Sequence, residues 1–196
     1  MTAPFVDRPV GAVEAAAAAA RSALAAWGVA SEPALLRVGM NALFTVPGQP
    51  VVVRVGRATA AAAAAHDLAR ALAAAGIATV TPVDGWSAAV DGFAVTGWQR
   101  VRETRQAVSW ELVGAAIRRL HELPRAAVPV GYPIADPGSF AWWDFAAMLA
   151  DVGAEIDVRA RVAIEAVVVR HDGWRSAIAV DPVVCHGDVH PGNVLT

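Results

Sequence analysis

Between residues 35 and 55 apolar stretches alternate with short breaks. An apolar run from Leu35 is interrupted by Gly39-Met40-Asn41, a second run is interrupted by Pro47-Gly48, and Val51-Val52-Val53-Arg54-Val55 follows. Short runs punctuated by Gly, Pro and Asn predict strand, bend, strand, turn and strand, a small antiparallel sheet. Residues 80–83 and 88–90 read as further strand, and Asp91-Gly92 as a hairpin turn into a strand over 93–95. Elsewhere the pattern is helical. Residues 10–27 are alanine-rich, with Gly28 as the stop signal, and residues 59–75 form a second alanine-rich stretch that closes at Gly76 and is expected to pack on the sheet. A helical pattern over 108–123 ends at Pro124, a Pro- and Gly-containing connection covers 129–137, and helices are expected near 140–149 and 158–170. No internal repeat is present.

The chemistry concentrates in Val184-Cys185-His186-Gly187-Asp188-Val189-His190-Pro191-Gly192-Asn193-Val194-Leu195. Asp188 and Asn193 stand at the spacing of the kinase loop H-R-D-x-x-x-x-N. There the Asp accepts the proton of the attacking hydroxyl, and the Asn coordinates the magnesium carried by ATP. Asn193 is one of only two Asn in the chain, the other being Asn41. The form His-Gly-Asp-x-His-x-x-Asn-x-Leu resembles the aminoglycoside phosphotransferase family, protein-kinase-like enzymes that phosphorylate small molecules. Val53-Arg54-Val55, the helix end at residues 68–76, Val95-Thr96-Gly97-Trp98 and Arg119-Leu120-His121-Glu122-Leu123 follow in the family's order.

The resemblance implies an α+β, protein-kinase-like fold. An N-terminal helix would occupy residues 1–30, a nucleotide-binding N-lobe of sheet plus helix residues 31–98, and a mainly helical, incomplete C-lobe residues 99–196. It implies ATP and Mg2+ as cofactors and a hydroxyl of a small molecule as acceptor. Asp188 would be the catalytic base, with His186 holding the loop by hydrogen bonding, and Asn193 would ligate the metal. Arg54 would hold the α and β phosphates. Gly97 and Trp98 would lie at the hinge, residues 97–101, where the adenine ring sits. Gly39-Met40-Asn41 stands where a phosphate-covering loop turns, yet Asn41 could equally serve the turn by adopting left-handed φ. The family's second metal-binding Asp is expected beyond Thr196, so these 196 residues are expected to turn over feebly. Val194-Leu195 reads as the start of a strand.

Composition narrows the setting. At 56% hydrophobic and 17% charged the chain is globular, and its apolar excess is largely alanine, which favours helix without making a membrane span. A net charge of −2 with scattered arginines excludes nucleic-acid binding. The N-terminus has no basic segment ahead of a leucine-rich one, and the single cysteine, Cys185, reads as a free buried thiol, so the expected setting is cytoplasmic. All 16 basic residues are Arg, so the strand cation that holds the phosphates must be an arginine. The helix that should supply its acidic partner offers only Asp67, next to His66. Trp142 and Trp143 read as core or substrate-wall residues.

Two other readings compete. One is a non-catalytic nucleotide-binding pseudokinase or truncated remnant. The other is a metal-dependent hydrolase built on His186, Asp188 and His190, disfavoured because no Cys pair at zinc spacing exists.

Overall fold

The structure, a computed structural model, describes residues 9–102, 104, 106–133, 149–150, 152–153, 155–171, 183–187 and 189–195. The chain divides into two compact units, residues 7–133 with 183–196, and residues 1–6 with 134–182. The first holds helix α1 (Val13–Ala26), strands β1 (Ala34–Val38), β2 (Ala42–Thr45) and β3 (Val51–Arg57), helix α2 (Ala63–Ala74), strands β4 (Pro82–Val90) and β5 (Phe93–Gln99), and helix α3 (Trp110–His121). All strand pairs are antiparallel, in the order β1-β2-β3-β5-β4.

The two faces of this sheet have different fates. Val51, Val53 and Val55 of β3 share one face with Ala42 and Phe44 of β2 and with Phe93 and Val95 of β5, and all are buried. Onto that face α1 lays Ala16, Ala19, Ala20, Ala23 and Leu24, the i, i+3, i+4, i+7, i+8 stripe of an amphipathic helix. Small alanines let the helix approach closely, so the valines and Phe44 are sealed, each worth about 1.5–3 kcal/mol by area. At the end of α1, Trp27 stacks on Trp86 of β4, centroids 4.9 Å apart. α2 packs toward β4 and β5.

Turn chemistry explains the boundaries. Both alanine-rich helices close by the paired bonds of a Schellman motif: Val29 N–H to Leu24 O (2.9 Å) with Gly28 N–H to Ala25 O (3.1 Å), and Ile77 N–H to Leu72 O (3.0 Å) with Gly76 N–H to Ala73 O (2.9 Å). Asp91 (φ 48°) and Gly92 (φ 80°) both adopt left-handed φ, as a tight hairpin between β4 and β5 requires. α3 begins at Ser109, whose Oγ accepts from Leu112 N–H, and Arg119 Nη1 donates to Gly76 O at 3.0 Å, fastening α3 to the end of α2.

Several expectations are corrected. The second helix begins at Ala63 rather than residue 59, since alanine propensity, with no capping side chain at Ala62, does not fix where a helix starts. In place of separate strands at 80–83 and 88–90 there is one, β4, which begins at Pro82 and has a register shift between Pro82 and Ser87. Val194 and Leu195 form no strand, and Cys185 is free but exposed. In the second unit, α4 (Val158–Arg170) is capped by Asp157, whose carboxylate accepts from Arg159 N–H (2.9 Å) and Ala160 N–H (3.3 Å). Of the helix expected over 140–149 only Leu149 is described, and it is helical; Trp142 and Trp143 lie outside the described residues. Among the described residues no helix is long and apolar enough to cross a membrane.

Gly97 tests the sealed face. A Cβ there would lie 2.7 Å from Trp86 Cβ and 2.6 Å from its Cε3. Gly97→Ala should therefore destabilise the protein by about 1–3 kcal/mol, read as a lower urea midpoint at unchanged slope. A variant as stable as the parent would show that Trp86 is not held against Gly97.

Candidate active site

Alternation along β3 sends Val52 and Arg54 to the face that α1 leaves uncovered. Leu43 of β2 stands opposite Arg54, and Trp98 of β5 opposite Val52. These residues line a cleft of about 1090 Å³. Its apolar lining includes Leu36, Leu43, Val52, Val80, Trp98 and Leu195, and its cations are Arg37, Arg54, Arg100 and Arg102. No carboxylate stands among the described lining residues. Four guanidiniums with no carboxylate among the described lining residues give the cleft the chemistry to accept an anion, with apolar surface beside them.

None of the ion pairs among the described residues uses Arg54. Asp67, the acid that the sequence offers it, pairs with Arg70 at 3.2 Å, and Arg70 also holds Asp84 at 2.6 Å. Beside it His66 is 2% exposed, and its Nε2 has no hydrogen-bond partner among the described residues. The His66 ring meets Trp98 edge-on, centroids 4.7 Å apart, and Trp98 Nε1 donates to Thr96 Oγ1 at 2.8 Å. Thr96 and His66 therefore fix the indole plane that walls the cleft. Burial holds the His66 pKa below 6.5, with Arg70 adding to the effect and a hydrogen bond to the Gly97 backbone, Asp67 and Asp84 opposing it.

The segment carrying the His-Gly-Asp motif reaches the same cleft. Residues Pro191–Asn193 form one 3-10 turn, in which Asn193 N–H donates to His190 O (2.9 Å) and Gly192 N–H to His190 Nδ1 (3.1 Å). The His190 ring folds so closely over Gly192 that a Cβ there would meet it at 2.8 Å. Leu195 lies in the cleft wall, and Arg37 Nη1 donates to Gly192 O at 3.3 Å. His186 and Asn193 are exposed, and Asp188 lies outside the described residues.

The structure thus brings Arg54 and Trp98 to one cleft with the turn that carries Asn193. Gly39, Asn41 and Gly97 do not line it. Gly39 N–H donates to Asn41 O (2.9 Å), and the Asn41 side chain lies against Gly56 of β3. Asn41 does not take left-handed φ, contrary to one expectation for it, since Asp91 alone does so among described residues other than glycine. Gly97 faces Trp86 on the sealed side. Sequence reasoning missed Arg37, because only strand register reveals its face. As for the hydrolase reading, His190 Nδ1 serves the turn, and Asp188, one of its three residues, lies outside the described residues.

Comparison with known proteins gives concordant results. The model of the phosphotransferase enzyme family matches residues 40–196. Among solved structures, the aminoglycoside phosphotransferase APH(3'')-Id of Streptomyces rimosus is 23% identical, with 91% of this chain aligned to 70% of that one at a TM-score of 0.60. Its complex with ADP and streptomycin matches at 0.59, with the same identity and coverage. A choline/ethanolamine kinase family protein of Mesorhizobium loti, also 23% identical, aligns over 83% of this chain and 54% of its own at a TM-score of 0.44. No curated protein matches. The likeness to the Streptomyces enzyme establishes the protein-kinase-like fold, partial relative to that chain.

His66 supplies a pH test. Its folded pKa is lowered, so the unfolded chain binds the proton more readily, and stability present above pH 6.5 is lost as pH falls from there toward the folded pKa. The melting temperature should therefore fall on acidification from pH 7, and His66→Phe, which keeps a ring against Trp98, should flatten the slope. An equal slope in both proteins would assign the loss to other groups.

Proposed function

The chain belongs to the phosphotransferase enzyme family, and on that premise we propose that it transfers the γ-phosphoryl group of ATP to a hydroxyl of a small molecule. The observation that carries this reading is the arginine-lined cleft with no described carboxylate, into whose wall the catalytic segment sends Leu195. The nucleotide base would take the apolar lining beside Trp98, and Arg54 would hold the α and β phosphates by its planar fork. Asp188 would accept the acceptor's proton as its oxygen bonds the γ-phosphorus and the bond to the β-phosphate oxygen breaks, releasing ADP. His186 would keep the loop in place.

Magnesium takes oxygen ligands, often one or two from protein with the rest from phosphate and water. The Asn193 amide oxygen suits that role, and the metal when bound would neutralise phosphate charge. A cytoplasmic setting, where ATP is plentiful, fits the single free cysteine. For the acceptor, the Streptomyces enzyme's complex with streptomycin makes aminoglycosides the first class to test, followed by sugars, homoserine and choline.

Calorimetric titration with ADP, then ADP release with ATP, Mg2+ and that acceptor panel, tests the reading. Arg54→Ala should weaken ADP binding about tenfold, the scale of a charge-assisted hydrogen bond. Asp188→Asn should remove transfer and leave ADP binding in place. A parent protein that binds no ADP at millimolar concentration would sink the proposal. One observation favours a second reading: Asp67 is committed to Arg70, so the usual acid does not steady Arg54. ADP binding without transfer to any acceptor would select that non-catalytic, nucleotide-binding form.

A further inference from the structure

β1 carries a feature that the kinase template does not assign. Its register against β2 slips between Leu35 and Arg37. In an unbroken ladder Leu36 would oppose Leu43, and Arg37 would oppose Ala42, which is fully buried in the core. The extra residue instead places Arg37 opposite Leu43, and Leu43 stands opposite Arg54. Directly opposed residues share a sheet face, so the two arginines occupy one row on the cleft side, two strand spacings or about 10 Å apart. Bulges beside working sites re-aim side chains in this manner.

The re-aimed side chain is also in use. Arg37 Nη1 donates to Gly192 O at 3.3 Å, the one polar contact of its guanidinium among the described residues. A guanidinium has five N–H donors in a planar fork, so several remain for a ligand in the cleft that Arg37 lines.

We propose that Arg37 is a second clamp on the nucleotide's polyphosphate and, through Gly192, a tether that holds the turn carrying Asn193 against the sheet. The clamp rests on the nucleotide reading given above; the tether does not. Two guanidiniums either side of Leu43 suit a chain of phosphates better than a single one, and the shared side chain couples phosphate binding to the order of the catalytic turn.

Calorimetric titration of the full chain with ADP and with adenosine, for the parent, Arg37→Ala and Arg37→Lys, tests the clamp. Arg37→Ala should lose about tenfold in ADP affinity with adenosine affinity unchanged, and Arg37→Lys should recover part of that loss. Hydrogen exchange of residues 186–195 without nucleotide tests the tether: exchange should speed up in Arg37→Ala and remain fast in Arg37→Lys, whose ammonium lacks the fork. Parent-like ADP affinity in Arg37→Ala, or equal loss of ADP and adenosine, would overturn the clamp. Unchanged exchange would overturn the tether. A parent that binds neither ligand removes the nucleotide reading and the clamp together, while the exchange comparison still decides the tether. Arg37 is exposed at the sheet edge, so both variants should fold.

Discussion

β3 lies in the middle of the sheet and must satisfy two opposed environments with one alternating sequence. Val51, Val53 and Val55 are sealed beneath α1, and that commits Val52 and Arg54 to the other side. A slip of one residue would put the Arg54 guanidinium into the alanine and valine core, at a cost of several kcal/mol for an unpaired buried charge, and would expose three valines. The core therefore sets where the cation stands. An ion pair is not needed for the purpose: among the described residues Arg54 forms none, and Asp67 is bound to Arg70. α1 matters to function by the same logic: by occupying one face completely it leaves the opposite face as the surface on which a ligand can lie.

That opposite face is shaped by side chains whose orientations are themselves fixed. Trp98 is held by a hydrogen bond to Thr96 and by the edge of His66. His66 in turn takes a buried place on α2, where desolvation favours the neutral ring over the charged one. A site preorganised in this way spends less binding energy on ordering its own walls. The arginines complete it electrostatically, since a guanidinium stays charged at any physiological pH and needs no carboxylate neighbour to do so.

What the sequence disclosed and what it hid divide along physical lines. Features set by local chemistry were legible: the Gly28 and Gly76 helix ends, the Asp91-Gly92 turn and the strands around Val53. Features set by pairing between distant segments were not. The slip at Leu36 has no local signature, so Arg37 went unremarked although it faces the cleft beside Leu43. Asn41 has turn-like composition, yet its contact with Gly56 depends on how β2 and β3 register. Cys185 follows an apolar stretch, and only the path of the chain shows it to be exposed. The start of α2 was misjudged for a related reason: alanine propensity runs through residues 60–65 without marking where the helix begins, and no capping residue stands at Ala62 to mark it.

The turn at Pro191–Asn193 joins these two kinds of information. Its internal bonds, from Gly192 and Asn193 back to His190, are local and give it a shape without a location. Location comes from outside, through Leu195 in the cleft wall and the bond from Arg37 to Gly192. Phosphoryl transfer depends on positioning and on electrostatic stabilisation, and small displacements of a reacting group are costly. A polyphosphate lying between Arg54 and Arg37 would add a further anchor where the turn meets the sheet. The bulge in β1 is then the step that converts an edge strand into part of the site, because without it Arg37 would face the core side and the turn would lose its bond to the sheet.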